Sequence, residues 1–232
     1  MSFRLILTAS LSIAILAVFL GLGKWQLDRL YWKEGVLAEI ESQIAAAPVD
    51  LPAQPDPARD KYLPVTVTGT MGGDTLRVLV SSRDAGAGYR LISSLETADG
   101  AVLVDRGFIR VADAVPPPTG GEMSIVGNLH WPDDRNSATP ENEVATNTWF
   151  ARDIDQMADV LNTRPLLIVA RQATPAEPGI LPMPVTSAGI PNDHLEYAVT
   201  WFLMAATWVV MTGFALWRMK RGTRDTLAPR ND

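Results

Sequence analysis

The feature that most constrains the fold is an uncharged run of 21 residues near the C-terminus, Tyr197–Trp217. A helix rises about 1.5 Å per residue, so a run of this length crosses the roughly 30 Å hydrocarbon core of a bilayer. Four cations follow the run, and none immediately precedes it: Arg218, Lys220, Arg221 and Arg224. The positive-inside bias therefore predicts a transmembrane helix whose C-terminal end faces the cytoplasm, with His194 at the outer interface.

A second apolar run, Leu5–Leu22, follows Arg4. A signal peptide cleaved near Gly21 and Gly23 is one explanation of this run. The helical pattern that continues beyond it instead favours a second span. Two spans place both chain termini in the cytoplasm and everything between the spans outside.

Small residues in both runs predict that the two spans pack side by side. In the first run they recur at spacings of four, three and four residues, and in the second at spacings of seven. They are Ser10, Ala14, Ala17 and Gly21 in the first and Ala198, Ala205 and Thr212 in the second.

The amino-acid composition excludes several classes of protein and of functional site. The chain has 232 residues, 47% hydrophobic and 20% charged, which suits one globular domain plus a little membrane-embedded sequence. A net charge of −6 argues against nucleic-acid binding. The absence of cysteine excludes disulfides, iron–sulfur clusters and thiol catalysis, and two histidines argue against a multi-histidine metal centre.

Between the runs the periodicity changes from helical to twofold. Trp25–Ile44 continues as an amphipathic helix, and a proline-rich linker follows it. From Tyr62 alternating polar and apolar residues predict short strands, and Asp99-Gly100 predicts a tight hairpin. The strand candidates are Val65–Thr68, Thr75–Ser81, Tyr89–Leu95, Ala101–Ile109, Met123–Leu129 and Leu166–Ala170.

Two local features interrupt the predicted strands. Asp153 is the expected N-cap of a helix over Ile154–Leu161. Asp105-Arg106-Gly107 resembles a turn anchored by an ion pair.

The predicted fold is an α+β membrane protein. Two transmembrane helices flank a mainly antiparallel β domain, either a sheet or a partly open barrel, with one or two helices. The expected divisions are a cytoplasmic N-terminus (1–4), the first span (5–23), the amphipathic helix and linker (24–60), the extracytoplasmic β domain (61–175), a returning loop (176–194), the second span (195–217) and a basic cytoplasmic tail (218–232).

His194 is the sharpest candidate for chemistry. On a helix it shares a stripe with Trp201 and Trp208, seven and fourteen residues along, and Tyr197 lies one turn away. An imidazole above flat aromatic rings could receive a porphyrin, because neutral imidazole is a common axial ligand of haem iron. Membership of an interfacial aromatic girdle is the alternative for His194 and Tyr197.

Two further sets of residues have competing interpretations. Arg29 and Lys33, one turn apart, suit either porphyrin propionates or lipid phosphate. His130, followed by Trp131 and Asp133, could serve as a carboxylate-assisted general base, although a surface-loop histidine is the simpler interpretation.

Several blocks, in order along nearly the whole chain, resemble the Surfeit-locus family of cytochrome c oxidase assembly factors. They are Leu22-Gly23-Lys24-Trp25-Gln26-Leu27-Asp28-Arg29, Tyr62-Leu63-Pro64-Val65, Val102-Leu103-Val104-Asp105-Arg106-Gly107, Asn147-Thr148-Trp149-Phe150-Ala151-Arg152-Asp153 and Pro191-Asn192-Asp193-His194-Leu195-Glu196-Tyr197. The departures from the family pattern are Asp193, Glu196 and Asp105 in place of amides, and Phe108 in place of tryptophan.

The resemblance implies a protein of the bacterial inner membrane, with its main domain in the periplasm, that aids maturation of haem–copper oxidase. Bacterial relatives are thought to bind haem a, and the histidine that matches His194 is thought to ligate its iron. The implied partners are the oxidase core subunit, membrane lipid and, further, haem a synthase. The expected activity is carriage of haem a as cargo rather than enzymatic catalysis.

Trp25, Gln26, Arg29 and Tyr197 match motif positions near the expected site. Within this hypothesis Trp25, Tyr197 and Trp201 shield the macrocycle, while Arg29 and Lys33 neutralise propionates. A cofactor-free scaffold that clamps an oxidase intermediate is the alternative. A membrane-tethered hydrolase using His130 is a third hypothesis.

Overall fold

The computed structural model describes residues 3–82 and 86–225. The first two residues of the predicted N-terminal segment and residues 226–232 of the predicted basic tail lie outside the described part. The chain forms two compact units. One comprises residues 1–38 and 188–232, and the other comprises residues 39–187.

The first unit is built from two long helices. Helix α1 is Phe3–Ala45, and the last helix, α4, is His194–Asp225. Both are long and apolar enough to cross a membrane, and only 11% and 6% of their most apolar stretches are buried. Helix α1 continues without a break through Gly21 and Gly23, so the predicted helical continuation into Trp25–Ile44 is confirmed.

The second unit contains a six-stranded mixed sheet. Its strands are β1 (Val49–Asp50), β2 (Pro64–Ser82), β3 (Gly86–Thr97), β4 (Gly100–Arg110), β5 (Glu122–His130) and β6 (Arg164–Thr174). The strand order is β1-β2-β3-β4-β6-β5, with a further pairing between β2 and β5. The β1–β2 and β4–β6 pairs are parallel, and the other pairs are antiparallel. The sheet is therefore mixed but mainly antiparallel, and it is not a closed barrel.

Short helices complete this unit. They are α2 (Pro57–Asp60), α3 (Ile154–Leu161) and a 3-10 helix at Val144–Thr146. A further 3-10 helix is Ser187–Gly189. Helix α3 has the predicted bounds, and its predicted N-cap is confirmed because the Asp153 side chain accepts a hydrogen bond from the Gln156 N–H. The proline-rich segment predicted as a linker contains β1 and α2.

Strand β2 is the shared element of the sheet. Its first half, Pro64–Thr70, pairs with β5, and its second half, Thr70–Ser82, pairs with β3. A register shift between Met71 and Thr75 lies within β2. An irregularity of this kind bends and twists a strand, and it explains why the sequence predicted two strands, Val65–Thr68 and Thr75–Ser81, where the structure has one.

Strand β4 lies at the centre of the sheet. Its residues from Ala101 to Ile109 are all buried, because β3 and β6 flank it and hydrophobic side chains cover both of its faces. Val102 and Val104 pack into one core cluster, whereas Leu103 packs into another with Trp149. The predicted hairpin before β4 is confirmed: Gly100 has a φ of +103°, a conformation that favours glycine.

The predicted ion-paired turn at Asp105-Arg106-Gly107 is wrong, because β4 continues through it. The β3–β4 register shifts here, because Gly107 pairs with Leu91 and Asp105 with Ile92, which leaves Arg106 as the extra residue of a bulge. Asp105 and Arg106 have different partners. The Asp105 carboxylate accepts from Arg90 Nε at 2.6 Å and lies 3.7 Å from Arg152 Nη1, whereas Arg106 pairs with Glu177. Burial raises the pKa of Asp105, and the two guanidinium groups counteract that rise.

The segment after β6 is held against the β domain at three points. Arg106 donates from Nε to Glu177 at 2.8 Å, and Phe108 and Leu181 exchange two backbone hydrogen bonds. Arg90 donates to the Met183 carbonyl at 2.7 Å. Arg90 therefore joins buried Asp105 to the returning segment.

We predict that replacing Arg90 by methionine destabilises the β domain by about 3–5 kcal/mol, because a buried carboxylate loses its closest counter-ion. Thermal unfolding of the detergent-solubilised chain measures the loss. Arg110→Met, at the exposed end of β4, the strand that carries Asp105, is the matched control and should change the stability by less than about 0.5 kcal/mol. Equal losses in the two variants would contradict the importance of the Asp105 pair.

Candidate functional site

Three contacts, spaced seven residues apart on both helices, join α1 and α4. Trp208 Nε1 donates to the Ser12 carbonyl at 3.1 Å. The rings of Phe19 and Trp201 have centroids 6.0 Å apart. Gln26 Oε1 and His194 Nδ1 lie 2.8 Å apart. We call this series of paired positions the heptad seam; it comprises Ser12–Trp208, Phe19–Trp201 and Gln26–His194.

The heptad seam explains which of the residues predicted to pack between the helices do so. Ala198 and Ala205 are buried, as predicted, and Thr212 is half-buried. The predicted face of α1 is wrong, because Ser10, Ala14, Ala17 and Gly21 are all exposed. Ser12, Phe19 and Gln26 lie on a different side of the helix, and their larger side chains make the contacts instead.

Gly23 is the small residue that α1 uses in this packing. A Cβ at Gly23 would lie 2.8 Å from the Phe202 ring, whereas a Cβ at Gly21 would meet nothing within 4 Å. The absence of a side chain at Gly23 therefore lets the Phe202 ring lie against the α1 backbone, close to Gln26.

The hydrogen bond between Gln26 and His194 orients the imidazole, with Nδ1 facing Gln26. A carboxamide oxygen only accepts, so His194 Nδ1 carries the proton and donates to Gln26 Oε1. In a neutral imidazole the lone pair then resides on Nε2. Metal-ligating histidines are commonly oriented in this way, with one ring nitrogen donating to an oxygen and the other left for the metal. Gln26 is only 8% exposed, so water competes little for this bond.

The other predicted site residues occupy the surface around this pair. Trp25 and Tyr197 are 56% and 57% exposed. Lys33 and Trp201 are half-buried. The Arg29 guanidinium lies 3.8 Å from the centroid of the Trp32 ring, a cation–π arrangement. Direct side-chain contact thus joins Gln26 with His194. Arg29 instead contacts Trp32, which is not one of the predicted site residues.

Two residues of the heptad seam, Ser12 and Phe19, were not predicted from the sequence. Phe19 packs against both Trp201 and Trp208, with ring centroids 6.0 and 6.3 Å apart. Counting back in sevens from Gln26 would have found both residues, because His194, Trp201 and Trp208 repeat with the same period on α4.

His130 has a different environment from the one predicted. It lies at the end of β5, the strand end expected from the sequence, but it is half-buried rather than in a surface loop, and its ring stacks on Tyr62 with centroids 5.8 Å apart. Burial, together with the charges of Arg152 and Lys61, lowers the pKa of His130 to about 4. A base this weak is poorly matched to proton abstraction at neutral pH, so the geometry gives no support to the hydrolase hypothesis.

Comparison with known proteins identifies relatives along most of the chain. Residues 13–206 match the SURF1 family. Surfeit locus protein 1 of Mus musculus is 32% identical over 219 residues, which cover 82% of this chain and 70% of the relative. The protein of the same name from Homo sapiens is 33% identical over 218 residues, covering 81% and 70%. A SURF1-like protein of Monosiga brevicollis is 31% identical over 237 residues, covering 93% and 89%.

The low pKa of His130 predicts a pH dependence of stability. The ordinary pKa of histidine is 6.5, and that of folded His130 is about 4. Between these values the unfolded chain binds a proton that the folded chain does not, so the free energy of unfolding decreases as the pH falls through this window. The loss should approach about 3 kcal/mol near pH 4, at 1.36 kcal/mol per pKa unit.

His130→Phe tests this prediction, because it keeps a flat ring against Tyr62 but removes the titration. Thermal unfolding at pH 7 and pH 5 should show a larger decrease for the wild type than for the variant. Identical decreases would mean that His130 does not carry this pH dependence.

Proposed function

The chain belongs to the SURF1 family, and we propose that it is a membrane-anchored assembly factor for haem–copper (cytochrome c) oxidase. In this proposal it holds haem a through His194 and presents it to the oxidase core subunit. The family resemblance found in the sequence supports the oxidase partner. The geometry of His194 and Gln26 supports the mode of haem binding.

Membrane anchoring is supported by the exposure of the two long helices. A core helix of a soluble protein is mostly buried, whereas only 11% and 6% of the most apolar stretches are buried here. The cations after Trp217 then orient α4 with its C-terminal end in the cytoplasm. The proposed location is the bacterial inner membrane, with both termini cytoplasmic and the β domain in the periplasm.

The single observation that carries the haem proposal is the 2.8 Å hydrogen bond between His194 Nδ1 and Gln26 Oε1. This bond fixes the ring orientation and leaves the Nε2 lone pair for iron. An interfacial girdle needs only an amphipathic ring and no buried acceptor behind it. The buried carboxamide of Gln26 therefore favours the ligand role over the girdle role.

The surrounding side chains suit the remainder of a porphyrin. Exposed Trp25 and Tyr197 offer flat apolar surfaces near the Gln26–His194 pair. Arg29 and Lys33 lie three and seven residues beyond Gln26 on α1, and they are the proposed partners of the propionates. A guanidinium that stacks on a ring, as Arg29 does on Trp32, keeps its N–H groups free at its edge for a carboxylate.

A single protein ligand also suits a carrier. Of the two histidines in the chain, His194 is the one that belongs to the helix pair, so the iron would be five-coordinate or would share a ligand with water or a partner. Incomplete ligation of the iron favours transfer of the haem, because few iron–ligand bonds must break when the oxidase core subunit takes it. Haem a synthase is the proposed supplier.

We predict that wild-type protein purified from cells making haem a shows a Soret band and that His194→Ala loses it, because the iron loses its ligand. His130→Phe is the matched control, since it removes the other histidine and should keep the band. A colourless wild type would contradict the carrier proposal and favour the cofactor-free scaffold.

We also predict that Gln26→Leu weakens haem binding about tenfold, the lower end of the effect of losing a partner that orients a metal-binding histidine. Gln26→Glu keeps an acceptor for Nδ1–H and should retain binding. Titration of the haem-free protein, followed at the Soret band, measures both. Equal affinity of Gln26→Leu and the wild type would contradict the orienting role of Gln26.

A further inference from the structure

A groove beside the heptad seam has no role in holding the iron or the propionates. Its volume is about 370 Å³, within the roughly 300–1,000 Å³ range of small-ligand pockets. Phe19 of α1 lines one side, and α4 supplies the rest of the lining: Thr200, Leu203, Met204, Thr207, Trp208 and Met211.

We infer that this groove, which we call the tail groove, holds the farnesyl chain of haem a. The inference rests on the proposed function and extends it, because it assigns the farnesyl chain, which together with a formyl group distinguishes haem a from protohaem. The porphyrin ring and its propionates need only the imidazole and the cations, whereas a long isoprenoid chain needs an extended apolar surface.

The tail groove is a continuation of the His194 site along α4. It begins at Thr200, six residues after His194, and reaches Met211, so it extends from about 9 to about 25 Å beyond His194 at 1.5 Å per residue. His194, Trp201 and Trp208 share one stripe of the helix. Trp208 is thus both the last member of that stripe and a wall of the groove.

Three polar side chains line the tail groove, Thr200, Thr207 and Trp208, and Thr200 and Trp208 are engaged within the helix pair. Thr200 Oγ1 donates to the Glu196 carbonyl at 2.8 Å, and Trp208 Nε1 donates to the Ser12 carbonyl at 3.1 Å. The surfaces left for a ligand are chiefly methyl groups, thioethers and aromatic carbons, with the Thr207 hydroxyl among them. Such a wall accepts hydrocarbon and offers little to a hydroxyl or a charge.

The order of side-chain chemistry along the helix pair matches the order of groups in haem a. Arg29 and Lys33 lie on one side of the Gln26–His194 pair, and the tail groove lies on the other. In haem a the farnesyl chain is attached at the side of the ring opposite the propionates, with the iron between. One ligand orientation therefore brings the carboxylates to the cations, the iron to Nε2 and the chain to the groove.

Lipid acyl chains are the competing occupant, because any apolar groove in a bilayer is solvated by lipid. The farnesyl chain gains little free energy from transfer out of lipid. Its advantage over an acyl chain in the groove must therefore come from close packing against the side chains, as in helix association within membranes. We therefore expect a difference of about tenfold in affinity, which corresponds to 1.4 kcal/mol, rather than the much larger effect of burial from water.

Haem o and haem b are the matched probes, since haem o carries the farnesyl chain in place of a vinyl group and is otherwise the same molecule. The full chain in lipid nanodiscs is titrated with each haem, and binding is followed at the Soret band. The wild type should bind haem o about tenfold more tightly than haem b.

Thr207→Phe fills the tail groove from its lipid-exposed side. It should remove the preference for haem o and leave the affinity for haem b unchanged. Val210→Phe, three residues away at a position that is 71% exposed and outside the groove lining, is the matched control and should keep the preference.

The outcomes separate this inference from the proposed function. If the wild type binds both haems through His194 with equal affinity, or if Thr207→Phe keeps the preference, lipid occupies the groove and the inference fails alone. If the wild type binds neither haem, the proposed function fails and the inference fails with it.

Discussion

The hydrogen bond between Gln26 and His194 is the interaction on which the proposed site depends. It sits at one end of a seam in which α1 and α4 meet every seventh residue, through Ser12, Phe19 and Gln26 on one helix. The two contacts further along set the register of the helices. A carboxamide on one helix is thereby brought against an imidazole on the other, 168 residues away in sequence. The helix pair thus controls which nitrogen of His194 is available to a ligand.

The β domain is stabilised by different forces. Its centre is β4, buried from Ala101 to Ile109, with core clusters on both faces. Asp105 is the exception within that strand, a fully buried carboxylate held between Arg90 and Arg152. Arg152 also donates to Asp134 through Nε and Nη2, at 2.6 and 2.9 Å. Two strands and two loops consequently share one charged network, and the loss of a single member exposes the others to an unpaired buried charge.

The sequence could predict what depends on local patterns. Two apolar runs, the bounds of α3 with its Asp153 cap, and the hairpin at Gly100 all follow from periodicity or from one residue's conformational preference. The two parallel pairings and the continuity of β2 could not be predicted, because they depend on contacts between residues far apart in the chain. The same limit explains Asp105: the neighbouring Arg106 suggested the wrong partner, because the actual partners, Arg90 and Arg152, are distant in sequence.

At the candidate site, too, the residues could be selected from the sequence but the contact between them could not be predicted. His194 and Gln26 could be selected from the sequence, but their hydrogen bond could not, because small-residue spacing pointed to Ser10, Ala14, Ala17 and Gly21 as the packing face. That face is exposed. The heptad of Ser12, Phe19 and Gln26 lies on another side of α1 and includes a polar, an aromatic and an amide side chain. Such a mixed series has no hydrophobic signature of its own, and only its partner series on α4 makes it recognisable.

The most direct test of the central claim is the iron–nitrogen stretching band of the haem-loaded ferrous protein, measured by resonance Raman spectroscopy with and without ¹⁵N-labelled histidine. We expect the band to shift on labelling, to persist in His130→Phe and to be absent from His194→Ala. A band that does not respond to the label, or that persists without His194, would contradict ligation by this residue.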